Sequence, residues 1–346
     1  MRKHERHDPG QPQIAETVTQ DGRGGFLGIS SAPEVEAKTI TQLDFGSPLE
    51  IERFHAAGAD EFAGGSQKDR KFSEFAIVEV LVVASGCTDG TDRIVVERAK
   101  SDARIVLIKE PERRGKSSAL NRILTRYQGD ILVLVNGDAR LLPGSLSGLV
   151  QEFDGDDRVQ LACGLPTPDA SPNPILDMIE AVWWRLHNRT LLTLSDRGSA
   201  NHCCDELMAL RRGFADSIPQ DVVNDGAYFG VLGALRGLTV RFCPNAIVIV
   251  ETPSNLSGLL RQRRRIVRGH RQVVRLLGRR PSTLEGLVRS NPALAARILI
   301  SELTQRPAQA FAFLSLGGPL ELISHLFSFV DRTRNSAYPV AWPMVD

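Results

Sequence analysis

Cysteine is scarce and unpaired in this chain. Its five residues, Cys87, Cys163, Cys203, Cys204 and Cys243, are scattered over 346 positions, which argues against a disulfide framework. With no signal-peptide pattern ahead of them, a reducing cytosolic compartment is expected. Net charge is nearly absent, at +1, so neither polyanion binding nor an acidic partner follows, and no nucleic-acid partner is expected. His202-Cys203-Cys204 has no Cys-x-x-Cys beside it and consecutive side chains diverge, which disfavours a zinc cluster. No glycine lies five residues before Gly115, so Gly115-Lys116 is not a Walker loop. An unbroken apolar run is also missing. Residues 308–330 come near one, but Gly317-Gly318-Pro319 breaks the run and Glu321 and His325 interrupt it. The expectation is two short helices, packed on the domain or lying at a membrane surface.

The first 75 residues lack any clear strand. Residues 1–25 are polar and cannot repay the entropy of ordering. Brief apolar candidates at 34–40 and 48–57 are cut off by Gly58 and Gly64-Gly65-Ser66. Residues 1–75 therefore read as a poorly structured or divergent region that adds no strand to a sheet.

From Ala76 onward the pattern is richer. At 42% hydrophobic content the chain can build one large or two modest cores. Residues 78–84 and 104–109 are apolar strands, each succeeded by a helix, at 92–100 and from Lys116 to about Tyr127. Residues 131–135 are wholly apolar, as a strand buried on both faces requires, and end on Asn136-Gly137-Asp138. Pro143 is expected to open the next helix, leaving Asp138 in a loop at the carboxyl end of a parallel strand, where open α/β sheets place ligands. Strand and helix alternate in units of about 25 residues, which predicts an α/β fold with a mostly parallel sheet.

Further on, residues 171–194 form a helix carrying Trp183 and Trp184, whose rings either line a groove or complete the core. A strand comes next at 207–210. Asp225 lies just inside a helix with Phe229, Leu232 and Leu235 on its apolar face. Two strands at 240–243 and 246–250 are joined by Pro244-Asn245. A helix from Pro253-Ser254 then carries nine arginines and no acid between Arg261 and Arg280. Its stripe of Leu259, Ile266, Val273 and Leu277 has helical spacing. A diphosphate clamp, a face for anionic lipid and a solvated basic surface all fit it.

Several of these groups share one chemistry. A carboxylate such as Asp138 among small residues holds a divalent cation against a phosphate. Gly115-Lys116 at a helix start offers free N–H groups and an ammonium to an anion. Asp225 is either a general base or a helix N-terminal charge, and Asp89 in Thr88-Asp89-Gly90-Thr91 is explained equally well by helix capping.

Together the motifs at 80–91 (VLVVASGCTDGT), 115–121 (GKSSALN), 129–139 (GDILVLVNGDA), 224–226 (NDG) and 262–266 (QRRRI) resemble, in order and spacing, family 2 glycosyltransferases of the GT-A fold, over about residues 77–275. The resemblance implies an inverting transfer of a sugar from a nucleotide-diphosphate sugar to an acceptor hydroxyl on a glycan or a lipid-linked molecule. Polysaccharide, glycolipid or cell-envelope glycan synthesis is the setting it implies. By that resemblance Asp138 holds Mg²⁺ or Mn²⁺. Asp89, Lys116, Asn136, Gln262 and Arg265 join Asp138 in binding the donor, and Asp225 is the catalytic base. The expected organisation is a GT-A domain at 76–290 and a C-terminal helical segment at 291–346 that packs on the domain or lies at a membrane surface, in a protein that is cytoplasmic or peripheral to the inner face of the membrane.

The chain departs from the family's pattern in places. Asn136 stands for the first Asp of Asp-x-Asp, Asn224 for the Glu before the base, and Ile266 for the Trp of Gln-x-x-Arg-Trp. The family's first strand, with its Pro-Ala-Tyr-Asn-Glu-like nucleoside loop, has no counterpart before Val78. A catalytically silent, transferase-like binding protein therefore stays open, as does a sugar nucleotidyltransferase, although the latter should carry a Gly-rich loop after its first strand.

Overall fold

The computed structural model describes residues 25–32, 75–171 and 173–333. The candidate segments at 34–40 and 48–57 lie outside them.

Strands β2 (Ala76–Ser85), β3 (Ile105–Glu110) and β4 (Ile131–Asn136) are linked through helices α1 (Thr91–Ala99) and α2 (Lys116–Leu124). In β4, Ile131, Leu132, Val133, Leu134 and Val135 are all buried, each contributing about 1.5–3 kcal/mol of transfer free energy. An apolar run without alternation is what covers both faces of a central strand.

Between β2 and β4 lies β1 (Gly25–Ala32), antiparallel to both. The expectation that the N-terminal region supplies no strand is overturned for these eight residues. Two glycines and two serines hide β1 from propensity arguments, but a slot open on two sides supplies hydrogen-bond partners along both edges and decides its conformation. It runs opposite to its neighbours, so among the described residues β2 gains no parallel partner from the N-terminal region.

The remaining strands are β5 (Ala139–Leu141), β6 (Val159–Pro168), β7 (Leu207–Arg211) and β8 (Thr239–Val250), giving the order β3-β2-β1-β4-β7-β6-β8-β5. β2, β3, β4, β6 and β8 point one way, while β1, β5 and β7 run against them. The sheet is therefore mixed: five of its eight strands share one direction, but of the seven neighbouring pairs only β2–β3 and β6–β8 are parallel. Two local readings need correction. β4 turns at Gly137-Asp138 straight into β5, and helix α3 (Ser145–Gln151) begins after Gly144, whose φ of 83° is open to glycine, so Pro143 precedes the helix instead of opening it. Residues 240–250 form one strand, because Pro244 falls where the register against β6 shifts between Cys163 and Leu165, and a bulge tolerates a missing N–H.

Helices α4 (Pro174–Asp196), α5 (Asp225–Leu235) and α6 (Leu256–Leu277) cover the sheet, and after them come α7 (Leu284–Ser290), α8 (Pro292–Gln305) and α9 (Pro307–Ala312). Leu294, Ala295 and Ile298 of α8 join the main core cluster, so this C-terminal part packs into the same body as the sheet. Glu302 is buried between Arg185, with which it forms an ion pair, and Arg189 at 3.5 Å.

After α9 a π-helical turn, Phe313–Gly317, leads into α10 (Gly318–Thr333). The expected break at Gly317-Gly318-Pro319 does not occur. A π turn takes up the register change that Pro319 imposes on the hydrogen-bond ladder. Pro307–Val330 is in consequence one helix, long and apolar enough to cross a membrane by length and composition, with mean hydropathy 1.4 and 22% of its most apolar stretch buried.

Candidate active site

The carboxyl ends of β2, β4 and β8 open into a cleft of about 2370 Å³ roofed by α4, α6 and α10. Single-ligand pockets span roughly 300–1,000 Å³, so this one has room for a donor and an acceptor together. On the sheet side it is lined by Ser85, Gly115, Lys116, Asn136, Asp138, Asp205 and Glu206. On the helix side it is lined by Trp183, Trp184, Gln262 and Arg265. The tryptophans are half-buried, so they line the groove and also pack its wall.

Lys116 is the first residue of α2, placed there by Gly115, whose φ of 88° suits only glycine. Its Nζ lies 2.8 Å from Asp205 Oδ2 and 2.9 Å from Asp225 Oδ1. Asp225 opens α5 behind its Asn224 cap, where Asn224 Oδ1 accepts from the Ala227 N–H at 2.7 Å. Gly226 lets this helix start press on the preceding loop, since a Cβ there would stand 2.3 Å from the Cys203 carbonyl oxygen. Asp225 is 1% exposed. Burial pushes its carboxyl up to about 7, with the Asp205 charge adding and the Lys116 ammonium opposing. Burial acts the same way on Asp205, but Lys116 and Arg265 outweigh it and hold that carboxyl below the usual range. The cation gains in turn: although burial disfavours it, the two carboxylates raise the Lys116 pKa.

Asp138 sits in the β4–β5 turn, open to the cleft, and the crowding walls around it push its pKa up while Lys116 and Arg265 pull it down. Two residues back, Asn136 Oδ1 is buried without a hydrogen-bond partner among the described residues. A carboxylate and a carboxamide oxygen on one cleft edge are hard oxygen donors, and the unmet oxygen is what a Mg²⁺ or Mn²⁺ ligand set would use.

Of the residues singled out from the sequence, Lys116, Asn136, Asp138, Gln262 and Arg265 meet at the cleft, with Asp225 directly beneath Lys116. Asp89 does not line it. The Asp89 carboxylate is exposed and accepts from Thr91 N at 3.0 Å and Thr91 Oγ1 at 2.7 Å, just ahead of α1, whose N-cap is Gly90. The sequence reading missed Asp205 and Glu206. Glu206 is held well above the usual carboxylate range, by burial first and by its Asp205 neighbour second. An acidic pair just ahead of the apolar strand β7 was the available signal, but it points to the cleft only because β7 is antiparallel.

Among the described residues, His202, Cys203 and Cys204 do not bring three ligand atoms close enough to share an ion. His202 Nδ1 lies 3.3 Å from the Ser282 carbonyl oxygen and Cys204 Sγ donates to the Gly164 carbonyl at 2.9 Å. Among the described residues the side chains close enough to share an ion are Glu285, Glu321 and His325. Hydrogen bonding to Glu285 raises His325 to about 9, so the cation in that group is the imidazolium itself.

The five co-directional strands, their crossover helices and a carboxylate-rich cleft at the strands' carboxyl ends define the GT-A class of α/β transferase folds. Residues 68–218 match the family model described as Glycosyl transferase family 2. An N-acetylglucosaminyltransferase of Azorhizobium caulinodans is 22% identical over 203 residues, covering 55% of this chain and 51% of that protein. The chain thus spans about half the length of that relative. Among solved structures, a mannosyltransferase from Pyrobaculum calidifontis in complex with GDP-Man and Mn²⁺ is similar with a TM-score of 0.49 and 22% identity, over 73% of this chain and 74% of that one. Glucosyl-3-phosphoglycerate synthase from Mycobacterium tuberculosis is similar with a TM-score of 0.35 and 18% identity, over 59% and 70%.

Proposed function

We propose that the protein is an inverting glycosyltransferase that moves a sugar from a nucleotide-diphosphate sugar to an acceptor hydroxyl. The observation that carries this reading is the Lys116–Asp225–Asp205 cluster under the cleft floor beside Asp138. Asp138 and Asn136 would hold a divalent cation, which supplies charge neutralisation on the donor diphosphate. Lys116 and Arg265 face the same region and stabilise charge on the leaving nucleotide. The diphosphate competes with Asp205 and Asp225 for the Lys116 ammonium, which uncovers Asp225. With a pKa near 7, Asp225 is matched to taking the acceptor proton at its carboxylate. Calorimetric titration of UDP, GDP and dTDP with Mn²⁺ tests the reading, and binding of none would favour the silent, transferase-like alternative.

We further propose that the protein works at the cytoplasmic surface of a membrane. On α10, Glu321, His325 and Ser328 face α6 and α7, where they pair with Arg263, Glu285 and Arg271. Leu322, Leu326 and Phe329, at the same spacing one residue on, are 73%, 60% and 55% exposed. Polar residues turned inward and apolar ones outward suit a lipid surface. Free thiols at Cys163, Cys203, Cys204 and Cys243 suit a reducing cytosol. Co-sedimentation with phosphatidylcholine–phosphatidylglycerol vesicles, lost in a Leu322→Glu, Phe329→Glu double variant, is the expected result.

A further inference from the structure

In the same cleft, α4 presents Glu180, Trp184 and His187 at i, i+4 and i+7, which places them on one helix face. The row continues through His202 to His270 of α6. Ring centroids are 5.7 Å apart for Trp184–His187, 5.4 Å for His187–His202 and 5.1 Å for His202–His270, each pair edge to face. All of these residues line the cleft. Glu180 is 4% exposed. Its Oε1, together with Nε2 of His187 and Nε2 of His270, is buried without a hydrogen-bond partner among the described residues.

Three unmet polar atoms on one wall are costly. Each buried group left unpaired costs about 1–3 kcal/mol, and native folds keep such groups when something else satisfies them. The chemistry of the wall narrows what that is. Burial pushes His187 down to about 3 and also lowers His202 and His270, so the imidazoles are neutral and each offers one donor and one acceptor. Arg263, the cation acting on Glu180, is already held by Glu321 at 2.7 and 2.9 Å and lies 4.7 Å over the Trp183 ring. Arginines of α6 line other parts of the cleft, but the atoms left unpaired on this wall are a carboxyl oxygen and neutral imidazole nitrogens, none of them a cation. Hydroxyl groups, which donate and accept, match neutral imidazoles and a carboxyl, and the Trp184 ring suits the apolar face of a pyranose.

We propose that this α4–α6 wall is the acceptor subsite for an uncharged carbohydrate, whose hydroxyls complete the hydrogen bonds of Glu180, His187 and His270. It deepens the glycosyltransferase reading and rests on it for the word acceptor. It places the acceptor sugar on the α4–α6 wall, whose His187 and His202 feel the charge of Asp205 in the Lys116 cluster.

The test is saturation-transfer NMR on the full chain, without nucleotide or metal, against cellobiose, chitobiose, maltose and mannobiose, with glycerol 3-phosphate as a phosphorylated comparator. At least one disaccharide should receive saturation, and Glu180→Gln and His187→Phe should each weaken it about tenfold or more, since each leaves a sugar hydroxyl unpaired. Glu180→Gln keeps the side-chain shape, and an unchanged Mn²⁺–nucleotide titration would report an intact fold. Asp138→Ala should leave sugar binding as it is. Saturation of none of the disaccharides, equal binding in both variants, or a preference for glycerol 3-phosphate would each overturn the assignment. Nucleotide binding by the wild-type chain judges the transferase reading separately, so either idea can fail alone.

Discussion

The Lys116 ammonium sits 2.9 Å from Asp225 Oδ1, and of the two only Lys116 lines the cleft. A base whose proton affinity is set by a cation that substrate can attract away has a testable pH signature.

Asp225 must be ionised to accept a proton, so kcat/KM should fall as pH drops below about 7. Lys116 opposes the effect of burial and Asp205 adds to it. The acidic limb should therefore move to higher pH in Lys116→Met and to lower pH in Asp205→Asn. Asp225→Asn should lose roughly 10²–10⁴ in rate with donor affinity retained. A limb that stays in place in both neighbouring variants would remove Asp225 from the role of base.

Asp138→Ala should abolish Mn²⁺-dependent nucleotide binding. The side chain is exposed to the cleft and carries little packing, so the thermal midpoint should hardly move. Calorimetry and a melting curve on the same sample check both halves, and metal-dependent affinity that survives would refute the assignment.

Glu302 neutralises Arg185 and Arg189 inside the interface between α4 and α8. Glu302→Leu leaves a buried guanidinium uncompensated, for which the expected loss is about 3–5 kcal/mol. Urea denaturation measures it. A loss under about 1 kcal/mol would mean that water or Gln309, which already accepts from Arg185 Nη2 at 2.6 Å, takes over.

His325 joins α10 to α7 through Glu285 and to α6 through Glu321 and Arg263. Its folded pKa of about 9 lies above the usual 6.5, so the stabilisation is fully present below about 6.5 and is lost as pH rises through about 9. Hydrogen exchange of α10, normalised to the intrinsic base-catalysed rate of unprotected amides, should speed up across that window, and His325→Gln should abolish this remaining pH dependence. A pH dependence that persists in His325→Gln would place the switch elsewhere.

Much of this was legible in the amino-acid order, for definite reasons. β4 declares itself because burial on both faces demands an unbroken apolar run, and Lys116, Asn136 and Asp138 are found because they flank such strands. β1 escaped because a strand with Gly25, Gly28, Ser30 and Ser31 owes its conformation to the two neighbours that flank it. Asp205 escaped because its meeting with Lys116 depends on β7 running against β4, which no local pattern encodes. The wall of Glu180, His187 and His270 escaped too: on a helix, polar residues at i and i+7 read as solvated until a second helix is known to cover them.

The direction of β1 has a consequence for how the cleft could be completed. Gly25 pairs with Ala84 and Phe26 with Asn136, both beside the cleft, whereas Ala32 pairs with Ala76 at the far edge. In a strand parallel to β2 and β4, the chain leaving the strand would arrive at the ligand. Here the Gly25 end of the strand stands beside the cleft and the Ala32 end on the side where β2 begins. A short binding loop grafted directly after Ala32 would therefore be delivered to the far side of the sheet from the cleft, whereas one grafted at Gly25 would start beside Ala84 and Asn136.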